Sequence, residues 1–342
     1  MNSARRNVLT IALLALLATI AMAFLWPTIA ERPQPTPVHA AEKLTIAINS
    51  PYIASGLVHL AARKGYFAVE GLDVTLQPHD SGRSALDAVV ADRADIATVA
   101  DTPVVFAVIN GVPLAIVATI SNAVRSHGIV ARRDRGISVL ADLKGRRVGV
   151  VSGSDAHYLL HTMLASHGVA PNEIAIENLK SAELTFALAE GRVDAIATWE
   201  PWLSEARKAA GANGVVFEPD KGFSLAFNLV GRRKFVQSHP AVMQRLLRAL
   251  LAAERFLGTD PEAARALVLD ATKIESTVFD NAWPNHFLRL TLSQGTVTML
   301  EDQARWVNSI SYGEKLKIPN FLESIYLDAM LAVKPQAVSI IR

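Results

Sequence analysis

An internal repeat constrains the fold of this chain more than any other feature of its sequence. The segment KLTIAINSPYIASGLVHLAARKGYF, at 43–67, and the segment RRVGVVSGSDAHYLLHTMLASHGVA, at 146–170, have the same order of elements. Each has a β-branched run, a loop of small polar residues, a segment with helical periodicity and then a glycine. Gly65 and Gly168 occupy the place after a helix where a left-handed residue is preferred.

The parallel continues after the first helix. GLDVTLQP corresponds to NEIAIENL, and SGRSALDAVVADRADIATV, at 81–99, corresponds to SAELTFALAEGRVDAIATW, at 181–199. Two βαβαβ units, at about 43–99 and 146–199, predict parallel sheets with right-handed crossovers. We therefore predict an α/β protein with two similar lobes, and strand carboxyl ends that face the cleft between them.

From residue 235 onwards the pattern becomes helical. In SHPAVMQRLLRALLAAERFLG, Ser238 is a candidate N-cap and Gly258 a candidate residue after the helix end. The next segment opens with Asp260 as N-cap and Pro261 at the first helical position. These helices are predicted to pack on the first lobe.

The N-terminus has the pattern of an export signal. Arg5 and Arg6 precede an apolar run over 8–26, which is also about the minimum for a membrane span. The linker at 27–42 has four prolines and contains Val38-His39-Ala40, a motif typical of cleavage sites. We predict a cleaved signal peptide with its apolar region within 1–26 and cleavage after residue 40. An uncleaved anchor with a stiff stalk is the alternative, and either the general or the twin-arginine export route fits.

Composition and charge exclude several function classes. The chain has no cysteine, so thiol nucleophiles, thiolate metal sites and cysteine-linked cofactors are excluded. Residues 1–40 hold three of the 34 basic and one of the 32 acidic residues, so the remainder carries 31 of each. A formally neutral domain gives no indication of a nucleic-acid partner.

Four motifs carry a resemblance to a known family: ARKGYFAVEGLDVTL, ALDAVVADRADIATVADTPVVFA, DLKGRRVGVVSGSDAHYLL and ALAEGRVDAIATWEPW. With these motifs in this order, residues 43–330 resemble the periplasmic substrate-binding proteins of ABC importers. The resemblance is to the nitrate, sulfonate and taurine group, which includes the NMT1/THI5-like proteins. The order of the motifs is specific for the family and says little about the ligand.

The resemblance implies a type II periplasmic-binding-protein fold, in which two lobes joined by two crossing strands close on a small molecule. It implies crossovers near 126–133 and 223–233. Lobe one would then comprise about 43–126 and 225–342, and lobe two about 127–224.

The resemblance also implies a function. The chain would be the solute-binding component of an ABC importer, capturing a sulfonate, taurine-like or nitrate-like anion or zwitterion for a membrane permease and its ATPase. We expect a periplasmic monomer that has no cofactor and is not an enzyme. A membrane-anchored ligand sensor and a THI5-like pyrimidine-related binding protein are the alternatives. Enzymes on related folds rely on a cysteine, which this chain lacks.

The loop in VVSGSDAHYLL is the predicted ligand-receiving turn of lobe two. Helix N-termini present unpaired N–H groups and partial positive charge, and small residues let an anion approach them. Gly153, Ser154, Asp155 and Ala156 lie where the family's ligand loop falls, and we expect them to hold the anionic end of the ligand. The alternative is that Ser154 or Asp155 is only an N-cap.

Lobe one has corresponding loops at the ends of its strands. Tyr52 is placed to stack on a ligand or hydrogen-bond to it, and Thr102 is alternatively an N-cap before Pro103. The candidate ligand residues are Ser50 and Tyr52 after the first strand, Ser81, Gly82 and Arg83 before a helix, Asp101 and Thr102 after the third strand, and, as the resemblance to the family implies, Ser121 and Asn122 after the fourth.

The motif TWEPW closes the third strand of lobe two. Trp199 is a candidate wall of the cleft and Glu200 a candidate ligand contact, whereas Trp202 fits the core better. A carboxylate repels a bound anion. Either Asp101 and Glu200 point away from the site, or the ligand also carries a positive group, as an aminosulfonate does.

His157 and His161 stand four residues apart on one predicted helix, a spacing that can chelate zinc. A third ligand is not apparent, and Tyr158 stands where a metalloprotease motif has glutamate. The sequence therefore predicts no metal site.

Overall fold

A computed structural model describes residues 41–219, 223–311 and 316–341. The predicted signal peptide and its cleavage site fall within 1–40 and lie outside the described residues. The described chain forms two sheets with helices packed on them, which confirms the predicted α/β class with two lobes. No helix within these ranges is both long enough and apolar enough to cross a membrane.

The larger sheet defines lobe one and has the strand order β11-β4-β10-β3-β1-β2. β1 pairs in parallel with β2 and β3, whereas β10 runs antiparallel to β3 and β4, and β11 antiparallel to β4. Its strands are β1 (Glu42–Asn49), β2 (Leu72–His79), β3 (Ile96–Ala100), β4 (Leu114–Val124), β10 (Ser224–Arg232) and β11 (His286–Thr291).

The smaller sheet defines lobe two and has the strand order β7-β6-β8-β5-β9. β6 pairs in parallel with β7 and β8, and β5 runs antiparallel to β8 and β9. Its strands are β5 (His127–Arg132), β6 (Arg147–Val150), β7 (Ala175–Asn178), β8 (Ala195–Trp199) and β9 (Gly214–Phe217).

The two sheets confirm the repeat read from the sequence. In each, the first strand of the unit lies between the second and the third, as β2-β1-β3 and as β7-β6-β8. In both units an aspartate precedes the third strand, and it has the same role in each. Asp95 Oδ2 accepts from the Thr45 N–H at 2.7 Å, and Asp194 Oδ2 accepts from the Arg147 N–H at 2.9 Å. Each carboxylate satisfies a backbone N–H of the unit's first strand.

Helices cover both sheets. In lobe one they are α1 (Gly56–Arg63), α2 (Tyr66–Val69), α3 (Gly82–Val90), α4 (Asp101–Ile109), α8 (Arg233–Ser238), α9 (Pro240–Thr259), α10 (Pro261–Thr272), α11 (Ser276–Ala282), α12 (Gln294–Ile310) and α13 (Asp328–Val333). In lobe two they are α5 (Asp155–Ala165), α6 (Ser181–Ala189) and α7 (Trp202–Ala210).

Several helix ends differ from prediction. Asp260 caps α10 by accepting from the Ala263 N–H, as expected. The prediction that Ser238 is the N-cap of α9 was wrong, because Ser238 is the last residue of α8 and His239 takes the cap position. Gly258 lies inside α9. Tertiary packing of an amphipathic helix overrides such terminal signals.

The chain passes between the lobes at two places. Arg125 and Ser126 link β4 to β5, and residues 218–223 link β9 to β10, of which 220–222 lie outside the described residues. β4 and β10 pair along their length, from Val124 with Ser224 to Leu114 with Arg232. Both links therefore join lobe one at neighbouring strands of its sheet, β4 and β10.

Candidate functional site

Two helix N-termini from opposite lobes face each other across an inner cavity. α3 begins at Gly82 in lobe one, and α5 begins at Asp155 in lobe two. The volume of the cavity is about 10 Å³, room for about one water molecule. Its lining residues are Asn49, Tyr52, Ser81, Gly82, Arg83, Ala100, Pro103, Ser154, Asp155, Trp199 and Phe227.

Each of the two helices is capped by the serine that precedes it. Ser81 accepts from the Ser84 N–H at 3.2 Å, and Ser154 accepts from the His157 N–H at 3.4 Å. Each cap satisfies one of the first N–H groups of its helix, and the others keep the partial positive charge of a helix start. Two such ends on one cavity favour an anionic group between them.

Arg83 adds a full positive charge at this junction. Its guanidinium forms an ion pair with Asp87 of the same helix, with 3.2 Å between Nε and Oδ1. The same guanidinium reaches across the cleft to Gly153, since a Cβ added at Gly153 would lie 2.5 Å from Arg83 Nη1. Arg83 therefore connects the anion-attracting ends of both lobes.

Gly153 needs to be glycine for two reasons. Its φ of +75° lies in the left-handed region, where a side chain is strained. A side chain would also meet Arg83 and the Phe106 ring, whose nearest atom lies 3.6 Å from the added Cβ. We expected that a Cβ at Gly153 would block the approach to the loop. The left-handed φ and the nearby Arg83 and Phe106 atoms give two structural reasons for a glycine at this position.

Three aromatic rings line the inner cavity. Tyr52 packs edge-on against Phe227, with 5.2 Å between ring centroids, and Trp199 is almost fully buried. The Tyr52 hydroxyl lies 3.4 Å from Ser126 Oγ, and burial raises the pKa of Tyr52 above its usual range. Tyr52 and Trp199 thus lie where the sequence placed them, and Phe227 adds an apolar face that suits a hydrocarbon group.

Asp155 belongs to a buried row of side chains in which each is hydrogen-bonded to the next. Its Oδ2 pairs with His127 Nε2, and His127 Nδ1 lies 2.8 Å from Ser126 Oγ. The row ends at the Tyr52 hydroxyl, so it runs from lobe two to lobe one. The pairing with His127 gives the cavity-lining carboxylate a donor of its own, which reduces its repulsion of an anion.

Asp101 lies away from the cavity lining. It is fully buried, and its Oδ1 accepts from Asn228 Nδ2 at 2.7 Å, while Asn228 Oδ1 accepts from Thr119 Oγ1 at 2.7 Å. Burial raises the pKa of Asp101 to about 7. It is the first residue of α4, so Thr102 is not the N-cap. Asp101 therefore lies beside β10 and does not line the inner cavity.

Glu200 is also engaged elsewhere. Its Oε1 accepts from Ser204 Oγ at 2.9 Å and its Oε2 from the Ser204 N–H at 3.1 Å, and burial raises its pKa. Ser121 and Asn122 lie within β4 rather than after it, which corrects the prediction of a loop there. The predicted site residues that do not line the inner cavity are Ser50, Asp101, Thr102, Ser121, Asn122, Gly153, Ala156 and Glu200.

Sequence reasoning missed four residues at or beside the cavity: Asn49, Ser126, His127 and Phe227. Asn49 ends β1 and Phe227 lies in β10, where each reads as an ordinary strand residue. From the sequence, His127 was predicted only as part of the crossover near 126–133. Its pairing with Asp155 joins residues 28 positions apart, which local patterns do not reveal.

A larger outer cavity continues from the inner one and shares Ser81 and Arg83 with it. Its volume is about 720 Å³, and the loops after β2, β6 and β7 line it. Asp80 of lobe one accepts from Ser181 Oγ of lobe two at 3.2 Å, which is a direct contact between the lobes. The lobes therefore touch at this edge while the outer cavity stays open.

His157 and His161, the pair with the spacing of zinc ligands, lie in contact with each other. Their Nε2 atoms are 3.2 Å apart, and the Gly153 N–H points at His157 Nδ1 at 3.2 Å. A His157 that accepts at Nδ1 carries its proton on Nε2, which leaves no lone pair there for a metal. Within the described ranges, no group of three potential ligands could hold a metal ion.

Ser154→Ala is expected to lower the free energy of unfolding by about 1 kcal/mol, because the His157 N–H loses its cap. Urea denaturation measures the change. Ser166→Ala, at the other end of the same helix, is the control: its Oγ donates to the Met163 carbonyl at 2.9 Å and lies 3.1 Å from His167 Nδ1, and it caps no backbone N–H among the described residues. Equal stabilities of Ser154→Ala and the parent protein would contradict a capping role.

The fold and the opposed helix ends define a two-lobed solute-binding protein of the periplasmic-binding-protein class. The chain belongs to the NMT1/THI5-like family, whose model matches residues 54–264. A Bacillus subtilis (strain 168) protein whose name assigns it aliphatic sulfonate binding is 28% identical over 231 residues, 66% of this chain and 69% of that protein. The taurine-binding periplasmic protein of Escherichia coli (strain K12) is 26% identical over 202 residues, 57% of this chain and 61% of that protein.

Solved structures share the fold. The alkanesulfonate-binding protein SsuA from Xanthomonas axonopodis pv. citri, bound to MOPS, superposes with a TM-score of 0.71 at 22% identity. The match covers 84% of this chain and 99% of that one. The desulfurization enzyme DSZB superposes with a TM-score of 0.63 at 15% identity, over 86% and 99% of the two chains. The fold is therefore shared by binding proteins and at least one enzyme.

Proposed function

We propose that this chain is the extracytoplasmic solute-binding component of an ABC importer, and that it captures a small organosulfonate between its lobes. The observation that carries the proposal is the junction of α3, Arg83 and the Gly153 loop. It presents two helix starts and a guanidinium to one point, which suits the three oxygens of a sulfonate. Relatives named for sulfonate and taurine binding support this ligand class.

The inner cavity has room for only about one water molecule, so the lobes must move apart to admit a ligand, and the rest of that ligand would then lie against the aromatic side of the cavity. Tyr52, Trp199 and Phe227 offer apolar faces, and an alkyl group is favoured there by burial of about 25 cal/mol per Å². The outer cavity gives a longer ligand room to extend toward solvent. A nitrate ion would use only the charged junction, so we expect it to bind more weakly than an alkanesulfonate.

We also propose that the protein binds without chemical turnover, acts as a periplasmic monomer after signal cleavage and delivers its ligand to a membrane permease. The absence of cysteine separates the chain from thiol-based chemistry. The lobe assignments 43–126 with 225–342, and 127–224, remain part of this proposal.

A thermal-shift screen tests the ligand class. Ethanesulfonate, hexanesulfonate, taurine, nitrate and a pyrimidine are compared in phosphate buffer, because common buffers such as MOPS are themselves sulfonates. A sulfonate at a hundredfold excess over its Kd is expected to stabilise the protein by about 2.7 kcal/mol. Chromatography of the sulfonate after incubation is expected to return it unchanged.

Two results would contradict the proposal. A shift with the pyrimidine or nitrate and none with any sulfonate would reject the ligand class. A new product after incubation would reject a pure binding role and favour the enzymatic relatives of the fold.

A further inference from the structure

A histidine pair lies on the seam between the lobes. His157 and His161 are both buried on α5 of lobe two, and they pack against Trp306 on α12 of lobe one. The Trp306 ring centroid lies 5.2 Å from that of His157 and 5.8 Å from that of His161. Trp306 also meets Phe106 of α4 at 5.7 Å. The two imidazoles therefore form part of the contact that holds the lobes together.

The hydrogen bonds fix where the protons of the pair lie. The Gly153 N–H donates to His157 Nδ1, so this nitrogen has no proton and Nε2 carries it. His157 Nε2 then donates to His161 Nε2, and the proton of His161 lies on Nδ1. That Nδ1 atom is buried without a partner in the described structure. The whole arrangement requires both rings to be neutral.

The first consequence concerns the ligand loop. Gly153 belongs to the turn that Arg83 covers, and His157 orients its peptide by accepting its N–H. A proton added to His157 Nδ1 would replace an acceptor with a donor that faces the Gly153 N–H. The second consequence concerns closure, since a charged imidazole against Trp306 loses its hydration, and no carboxylate among the described residues pairs with His157 or His161.

Most of the charged groups around α5 are occupied by other partners, although Oδ2 of Asp101 is buried without a partner among the described residues. Asp302 of α12 pairs with Arg305, and Asp155 at the start of α5 pairs with His127 of β5. The remaining groups on elements that pack on α5 are Arg83 beside Gly153, Asp101 of α4, Asp142, whose carboxylate accepts the Ser138 and Val139 N–H groups, and Glu173, which pairs with Lys144. The pKa values of His157 and His161 are lowered from 6.5 to about 4, in both cases by burial, and the neighbouring His161 contributes to the lowering at His157.

We propose that the His157–His161 pair is a positioning device that holds the Gly153 loop and the Trp306 contact only while both imidazoles are neutral, so that ligand capture is lost in acid. The inference rests on the proposed function, because it assigns a role to residues that support the anion junction. In the open form, with Trp306 withdrawn, the imidazoles are solvated and titrate near their ordinary value.

The direction of the pH dependence follows from proton linkage. Closure depresses the pKa of the pair, so the closed form is fully favoured above about pH 6.5 and is progressively lost as pH falls toward 4. One histidine that changes in this way weakens ligand binding by about 30-fold between pH 7.5 and pH 5.

Calorimetric titration with ethanesulfonate at pH 7.5, 6.5, 5.5 and 5.0, in phosphate or acetate buffer, measures this effect. The wild-type Kd is expected to rise by at least about 30-fold over the range, which is the effect of one histidine, because both members of the pair must be neutral. The double variant His157→Asn, His161→Gln keeps an acceptor near Gly153 and an amide near the second ring, without titration. Its Kd is expected to be nearly constant. His167→Gln, an exposed histidine just after α5, is the matched control and should follow the wild type.

The outcomes separate the two proposals. A wild-type Kd that stays constant from pH 7.5 to 5.0, or a double variant that weakens as much as the wild type, would overturn the role of the pair. A lack of ethanesulfonate binding at pH 7.5 would contradict the proposed function instead. The pair is then tested by NMR titration of the histidines in wild-type and Trp306→Ala protein. A higher pKa in Trp306→Ala supports the seam contact, and equal values overturn it.

Discussion

Arg83→Ala is expected to weaken binding of ethanesulfonate by about 10- to 100-fold. A hydrogen bond to a charged group contributes about 1.5–3 kcal/mol, and the Arg83 guanidinium is the charged donor that touches the loops of both lobes. The upper part of that range is reduced by solvent, because 39% of the Arg83 side chain is exposed. Calorimetric titration at pH 7.5 measures the change in Kd.

Two further variants make the Arg83 result specific. Arg83→Lys keeps the charge but loses the planar fork that matches a sulfonate, so its Kd should lie between those of the parent and Arg83→Ala. Arg93→Ala removes an exposed arginine just after the same helix and should leave Kd unchanged. Equal losses in Arg83→Ala and Arg93→Ala would indicate a general charge effect and would argue against a direct contact.

The repeat could be predicted because each of its elements has a recognisable local sequence pattern. Strand, small-residue loop and periodic helix follow one another within about 25 residues in each unit, and the loop serines cap the helices that follow. The places of Ser81, Gly82, Arg83, Ser154 and Asp155 at one cavity follow from those patterns, because the carboxyl ends of parallel strands meet at one edge.

The rest of the site depends on contacts between distant parts of the chain. The sequence does not reveal that Asn228 of β10 holds Asp101 away from the cavity, or that Asp155 pairs with His127. Ser121 and Asn122 were placed after the fourth strand because the resemblance to the family implied ligand positions there, whereas β4 continues through both residues. Pairing with β10 on one side and β11 on the other keeps that segment extended.

Gly153→Ala is expected to weaken binding of ethanesulfonate by about 10- to 100-fold, as much as the loss of the Arg83 guanidinium itself. The added methyl group would lie 2.5 Å from Arg83 Nη1, the end of a flexible side chain, so we expect the guanidinium to shift away from the junction. The left-handed backbone, with φ of +75°, also costs an alanine about 1–2 kcal/mol of stability. Titration measures the Kd, and urea denaturation measures the stability.

Gly168→Ala separates these two causes. Gly168 has a φ of +72°, almost that of Gly153, but an added Cβ meets nothing within 4 Å. Both alanine variants should therefore lose similar stability, and only Gly153→Ala should lose binding. Loss of binding in both would mean that reduced stability, and not the clash with Arg83, is responsible.

The double variant Arg83→Ala, Gly153→Ala tests whether the two residues act through one contact. If the methyl group acts by displacing the guanidinium, then Gly153→Ala should cost little affinity once Arg83 has been removed, and the two effects should not add. If Gly153→Ala instead reshapes the loop itself, its full effect should persist without Arg83. Non-additive Kd values would thus establish that the guanidinium of lobe one and the glycine turn of lobe two form a single anion-binding contact across the cleft.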